Sequence, residues 1–325
     1  MDATRRASIQ AIGAASLAAL TGNIAYAQTA RKLTILIGFP AGGAPDTVAR
    51  AMSVALRDAG YTVVIDNKAG AGGRLAADVL MQAPADGSTI MLVPAGNMTI
   101  YPHIYNKLKY DWQKDFALLA TACEFQFGMA VGPAVPARTL KEFVDWARAN
   151  PGKASFGTPG AGTGMHFLGV MFGRDARIDF NHIPYKGGAP ALTDAMGGNI
   201  PAVFTTLPNL VQPHKDGRIR ILGFSGDSRL KGLPDVPTFK ESGFPDLSLS
   251  EMFVFVARAE TPAAVQRDLA MALSAAVRTR SVNEVLEKTE YDPLVMEPPA
   301  IARRLQAEQL RWGAVVRSTG YKSEE

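Results

Sequence analysis

Two glycine-rich segments constrain this chain most, because each joins an apolar run to an amphipathic one. The first reads Phe39-Pro40-Ala41-Gly42-Gly43-Ala44-Pro45-Asp46-Thr47, and the second reads Thr158-Pro159-Gly160-Ala161-Gly162-Thr163-Gly164-Met165-His166. Before the first lies the apolar, β-branched run 33–37, which predicts a buried strand. After it Val48, Met52, Ala55 and Leu56 share one helical face until Gly60. A loop from strand to helix sits at the carboxyl end of a strand, where open α/β sheets bind ligands. Gly42 and Gly43 allow positive φ and close backbone approach, and Pro45 suits the first helical turn. The unpaired N–H groups beyond, with the helix dipole, suit an anion. No Gly-Lys-Ser/Thr ending follows, so this is not a nucleotide loop, and the dinucleotide spacing Gly-x-Gly-x-x-Gly is absent from it. The plainer reading is a tight turn with Asp46 as a helix-start acid. The second segment adds the hydroxyls of Thr158 and Thr163 and forms a second candidate anion nest. One such loop in each half predicts a cleft where both reach a single ligand. In a third segment, 183–190, Tyr185 is a candidate cleft wall; Lys186 either attracts an anion or is a solvated turn lysine.

The alternation continues on both sides of these loops. Runs 62–66 and 89–93 read as strands and 74–83 as a helix. The pattern restarts near residue 129, with strands at 129–131, 154–157, 180–183, 202–204, 220–224 and 253–256. Helices fall at 140–149, 165–172 and 190–197, and a helical tail covers 262–278, 282–288 and 299–317. Strands alternating with helices imply mostly parallel sheets. At 325 residues, and about 100–200 residues per domain, two α/β lobes fit the chain.

Residues 1–27 read as an address. Arg5 and Arg6 precede a short apolar run over 9–20, and Ala25-Tyr26-Ala27 offers small residues around a cleavage point before Gln28. The run is too short to span a bilayer, so a cleaved signal peptide and a periplasmic mature chain are expected. The paired arginines point to the twin-arginine route, but Ser8 and Gln10 are imperfect for that motif, so the general secretory route stands equally open. Setting the segment aside removes Arg5, Arg6 and Asp2, so the net charge of +4 falls to +3. The remaining basic residues are scattered, which excludes a nucleic-acid stripe.

Catalytic patterns are missing. His103, His166, His182 and His214 show no metal-ligand spacing, and no serine lies in a Gly-x-Ser-x-Gly elbow. The single Cys123 excludes an internal disulfide and reads as a buried structural thiol. No metal, no cofactor and no catalytic residue is expected.

The order of short motifs resembles one family. The pattern runs from Phe39-Pro40-Ala41-Gly42-Gly43, with Asp46, Ala49 and Arg50 at fixed distances, to Asn67-Lys68-Ala69-Gly70-Ala71-Gly72-Gly73. It continues through Ala85-Asp86-Gly87-Ser88-Thr89, through Tyr110-Asp111 with Asp115-Phe116, and through the loop 157–166. Pro184-Tyr185-Lys186-Gly187-Gly188-Ala189-Pro190-Ala191, Leu233-Pro234-Asp235-Val236-Pro237-Thr238 and Arg311-Trp312-Gly313 complete it. Together these resemble the Bug family, the extracytoplasmic solute receptors of tripartite tricarboxylate transporters.

The resemblance implies a two-lobed periplasmic binding protein with a mixed, mostly parallel sheet in each lobe and the ligand cleft between them. Its C-terminal helices rejoin the first lobe, giving 28–130 plus 251–325 as lobe 1 and 131–250 as lobe 2. It implies a pincer around a ligand carboxylate, which carries over to Phe39, Ala41, Gly42, Gly43 and Asp46, and to Thr158, Gly160, Gly162, Thr163 and His166. Three departures bear on specificity. Ala44-Pro45 stands where relatives have a glycine and a hydroxyl residue, Thr205-Thr206 replaces an Asp-Asn pair, and Met252 takes a position that is often aromatic. These changes favour a carboxylate with a neutral or apolar distal end over an amino acid. The function implied is capture of a small carboxylate by hinge closure and delivery, as a monomer, to a membrane permease or sensor protein. An exported enzyme with His166 or Asp46 as base on a small organic acid is the second reading, and an interaction protein without a small ligand is the third.

Overall fold

The computed structural model describes residues 31–322, so the expected signal peptide 1–27 lies outside the described residues. The chain enters through β1 (Arg31–Ile37), α1 (Ala44–Asp58) and β2 (Tyr61–Asn67). A 3-10 turn, Ala71–Gly73, leads into α2 (Arg74–Gln82) and β3 (Thr89–Pro94). Three single-turn helices follow, α3 (Gly96–Thr99), α4 (Tyr101–Ile104) and α5 (Trp112–Asp115), before the long β4 (Phe116–Val131). Next come α6 (Leu140–Ala149), β5 (Ser155–Thr158), α7 (Gly164–Ala176), β6 (Asn181–Pro184) and α8 (Gly188–Met196). Then follow β7 (Ala202–Thr206), α9 (Leu207–Lys215) and β8 (Arg220–Phe224). The chain ends through β9 (Ser250–Arg258), α10 (Ala263–Val277), α11 (Arg280–Lys288), β10 (Asp292–Pro293) and α12 (Pro298–Thr319).

The strands join in the order β2-β1-β3-β9-β4-β7-β5-β6, with β8 and β10 also on β4. The pairs β1–β3, β5–β6 and β5–β7 are parallel, whereas β3–β9, β9–β4 and β4–β7 are antiparallel. The sheet is therefore mixed: the expected parallel pairing holds in these outer pairs, and an antiparallel centre joins them. β4 is the spine, pairing with β9 from Phe116 to Gln126 and with β7 from Phe127 to Val131. This two-lobed α/β arrangement sets the βα loops of both halves against one another.

Packing explains the sheet's two faces. Along β9, Phe253 and Phe255 face one apolar cluster, while Met252, Val254 and Val256 face another with Leu36, Met91 and Val93. A strand buried on both faces reads as a continuous apolar run, which is how 252–257 looks in sequence. The second half is held by an aromatic cluster in which Phe156 lies 4.6 Å from Phe180 and 5.5 Å from Phe204, ring centroid to centroid. Each such ring contributes about 1.5–3 kcal/mol through burial. Cys123 is fully buried, and burial pushes its thiol pKa well up, which keeps it inert. Helix α12 lies across the first half: Ile301 and Leu305 share a cluster with Trp112, whose Nε1 donates to Gln309 Oε1 at 3.0 Å.

Candidate functional site

The first glycine loop is held from behind. Asp46 is buried, and its Oδ2 accepts from Gly42 N at 2.9 Å and from Arg50 Nε at 2.7 Å. Its Oδ1 takes Arg50 Nη2 at 3.1 Å, so both oxygens are committed within the loop and helix. Asn67 Nδ2 donates to the Phe39 carbonyl at 3.0 Å, and Gly42 adopts φ +77°, a turn only glycine makes without strain. Burial pushes the Asp46 pKa up, but the Arg50 bond, the Gly42 N–H, Asn67 and the Arg50 charge together hold it below its usual value. A depressed carboxyl stabilises the fold above its unfolded pKa, near 3.8, and the effect is lost as pH falls through the folded value. Asp46→Ala is therefore expected to cost about 2 kcal/mol at pH 7, a hydrogen-bonded charge with a largely exposed partner. Urea melts of both proteins check this: the gap closes below pH 4 if the carboxylate carries it, and a gap constant down to pH 2 contradicts it.

The second loop is braced in the same manner. Thr163 caps α7, with Oγ1 accepting from His166 N at 3.3 Å and donating to the Gly160 carbonyl at 2.8 Å. His166 Nδ1 accepts from Gly162 N at 3.2 Å, and its ring stacks on His182 at 4.0 Å. Burial, with His182 beside it, pushes the His166 pKa down to about 3, and burial takes His182 to about 4. Both rings are neutral across the physiological range. Thr158 Oγ1 lies 2.7 Å from His182 Nε2, which closes the network.

Between the braced loops lies a cavity with about 590 Å³ of empty space, its open mouth included. Helices from both halves begin at its wall. Gly43 and Ala44 bring the start of α1, Thr163 and Gly164 that of α7, Gly188 that of α8, and Thr205 and Thr206 that of α9. Phe39, Phe125, Phe253 and Met165 supply apolar walls. Among the described residues no Lys or Arg lines this cavity, and Glu251 is its one ionisable side chain. Among the described residues the Thr206 Oγ1 and the Tyr291 hydroxyl are buried without a hydrogen-bond partner. Helix N-termini carry partial positive charge and unpaired N–H groups, so this wall suits a carboxylate held without a buried cation.

The two halves touch around the mouth. A Cβ on Gly187 would lie 2.7 Å from Pro40 Cδ, and one on Gly160 would lie 3.6 Å from Gly72 Cα. Outside them is a wider cleft of about 1080 Å³, reached by Arg74, Tyr105, Tyr185 and Lys186. Tyr185 Oη donates to Asp194 Oδ2 at 2.7 Å.

The expected residues thus fall into distinct places. Phe39, Gly43, Ala44, Thr163, Thr205 and Thr206 line the inner cavity. Tyr185 and Gly160 line the outer cleft, which Phe39 also borders. Gly42, Asp46, Thr158, Gly162 and His166 brace the loops, and Ala41 is exposed at the first loop's tip. Met252 is fully buried in the core on the far face of β9, away from the cavity. Its neighbour Glu251 faces the cavity instead, because side chains alternate along a strand. Glu251, Asn97, Gly164, Gly188 and Asn209 are lining residues that the sequence reading did not single out. The signal for Glu251 was available: it is an acid directly before the apolar run 252–257.

Among the described residues no group of His, Cys, Asp and Glu is placed to hold a metal, and no helix is long and apolar enough to cross a membrane.

The family model for the tripartite tricarboxylate transporter family receptor matches residues 48–321. Protein BugT of Bordetella pertussis is 28% identical over 295 residues, covering 90% of each chain. The solved periplasmic binding protein BugD superposes with a TM-score of 0.86 at 26% identity, over 90% of this chain and 98% of that one. An R. palustris protein solved with adipate gives 0.85 at 26% identity, covering 89% of this chain and 97% of that one. MatC from Rhodopseudomonas palustris, solved with malate, gives 0.82 at 27% identity, covering 88% and 99%. BugD is a periplasmic binding protein, the family is one of solute-binding receptors rather than enzymes, and the fold is the two-lobed one seen here. The chain belongs to the tripartite tricarboxylate transporter receptor family, the solute-binding receptors of Bug type.

Proposed function

We propose that this chain captures a small carboxylate-bearing ligand in the inner cavity by closure of its two lobes. One observation carries the reading: α1, α7, α8 and α9 all begin at a cavity whose wall, among the described residues, has no basic side chain. Neutral donors hold a carboxylate without the desolvation cost of a buried ion pair. The malate and adipate bound by two relatives fit the same chemistry. The lobes are 28–130 with 251–325, and 131–250; the exchange of partners along β4 at Gln126 and Phe127 supports that division. A ligand touching both lobes favours the closed state by its differential affinity for it. The ligand-binding set includes Phe39, Gly43, Ala44, Thr163, Thr205 and Thr206, with the bracing residues behind them. The mature chain is periplasmic, cleaved after Ala27, and acts as a monomer that delivers its ligand to a membrane permease or sensor.

Thermal shift tests the reading directly. An acid at about a thousand times its dissociation constant adds roughly 4 kcal/mol, a rise of about 8–15 °C for a chain of this size. The expected result is a shift with malate, adipate or a related acid that disappears with the corresponding amide. Malate is expected to outperform aspartate, the same skeleton with an ammonium in place of the hydroxyl. No shift across mono-, di- and tricarboxylates, or a larger one with aspartate or glutamate, contradicts the proposal.

A further inference from the structure

Glu251 is a buried acid at the start of a core strand. It is the second residue of β9, pairs across the sheet with Phe125, and is only 6% exposed. Its Oε1 accepts from Gly96 N at 2.6 Å. Its Oε2 borders the first residue of α7, where a Cβ built on Gly164 would lie 3.3 Å away. Among the described residues this second oxygen accepts no hydrogen bond, and the side chain lines the cavity.

The charged groups around it do not neutralise it. From α12, Arg304 is engaged by Glu124 of β4 and by Glu308, and Glu308 adds a like charge. From α4, Tyr101 donates to the Gly72 carbonyl, and from α7, His166 is neutral. The cavity it lines has apolar walls of Phe125, Phe253 and Pro94, and the polar side chains there, such as Asn97 and Thr163, are uncharged. An unpaired carboxylate in such a place is costly, and the group takes a proton instead. Oε1 then acts as the carbonyl for Gly96, which leaves Oε2–H as a donor directed to the ligand space.

We propose that Glu251 is a specificity-determining residue that works as a neutral acid, donating Oε2–H to an acceptor oxygen of the ligand. The inference rests on capture of a carboxylate ligand in this cavity. It selects ligands that present a second carboxylate, carbonyl or hydroxyl oxygen there, and it gives an ammonium no anionic partner. Burial raises the Glu251 pKa to about 8, against the pull of the Gly96 N–H, with Glu308 raising it further and Arg304 lowering it. The donor is therefore present below pH 8 and lost above it. The same shift makes the free protein less stable as pH rises from the unfolded value near 4.5 towards 8, because the folded state holds a proton the unfolded state releases.

Calorimetric titration with malate and adipate between pH 6 and 9, on wild type, Glu251→Gln and Glu251→Ala, tests this. Wild-type affinity is expected to hold to pH 7 and to fall about 10-fold between pH 8 and 9, with proton uptake on binding at pH 8. Glu251→Gln keeps the acceptor and substitutes an N–H donor, so at pH 9 it should bind about 10-fold more tightly than wild type, with a flat pH profile. Glu251→Ala should bind about 10-fold more weakly at pH 6. A wild-type affinity that rises with pH, or a Glu251→Gln variant about 10-fold weaker than wild type at pH 6, overturns the proposal. If neither acid binds at any pH, the capture reading fails for those acids, and the free protein still decides the state of Glu251. Melting temperatures of wild type and Glu251→Gln should diverge as pH rises from 5 to 8, and a constant gap overturns the neutral-acid assignment.

Discussion

Replacing Gly164 with valine is expected to abolish acid binding, lowering affinity more than about 100-fold, while the chain remains folded. Gly164 is the first residue of α7 and lines the cavity. A Cβ there would lie 3.0 Å from Phe127 Cζ and 3.3 Å from Glu251 Oε2, and valine's two methyl groups extend further into the space a ligand would fill. The backbone at this position is ordinary helix, so the cost to the fold is overpacking alone, about 1–3 kcal/mol. A domain of this kind carries about 5–15 kcal/mol of stability and survives that loss. Gly164→Ala adds only the Cβ and should fall between the two. Calorimetry for affinity and circular dichroism for folding separate the effects. A folded Gly164→Val variant that binds malate or adipate within about 3-fold of wild type would remove the cavity as the ligand site.

The second large effect is on stability. Arg304 on α12 bonds Glu124 of β4 and Glu308 of its own helix, and all three side chains are at most 27% exposed. Burial pulls the Arg304 pKa down, while its bonds to Glu308 and Glu124 more than restore it. Burial pushes the Glu308 pKa up, and Arg304 opposes that rise. Arg304→Met keeps the aliphatic stem but strands two half-buried carboxyls. Breaking a buried pair costs about 3–5 kcal/mol, and the partial exposure here reduces that to about 2–3 kcal/mol. For a chain of this size the melting temperature should drop by roughly 4–12 °C. Part of the loss should return as pH falls and Glu308, whose pKa burial already raises, takes up a proton. An unchanged melting temperature would mean that Ile301, Leu305 and Trp312 hold α12 without the ion network.

What the sequence disclosed depended on where glycine and proline fall. Both loops, their strands and the helices after them were readable because close turns demand those residues. Most of β4 was not, beyond its end at 129–131: its 16 residues are buried along nearly their whole length, so no alternation marks a strand, and alanine blurs the choice further. Helix α9 was hidden by its prolines. Pro208 occupies a first-turn site where a missing N–H costs nothing, and Pro213 lies near the end. Missing that helix also hid its N-terminus at the cavity. On β9 the difficulty was phase, because a run buried on both sides fits either facing, and a one-residue shift exchanges Met252 for Glu251. Asp46 shows the converse case. Its position in the loop was evident, but its bonds to Gly42 and Arg50 make it a brace, which only coordinates could establish.

The central claim is that backbone N–H groups at converging helix starts, and no cation, receive the ligand carboxylate. A crystal structure of the mature chain with malate or adipate, whichever gives the larger thermal shift, tests it most directly. The account predicts carboxylate oxygens within about 3 Å of N–H groups at the starts of α1 and α7, with the lobes closed around them. An acid seated in the outer cleft against Lys186 and Arg74, with the inner cavity empty of it, would contradict it.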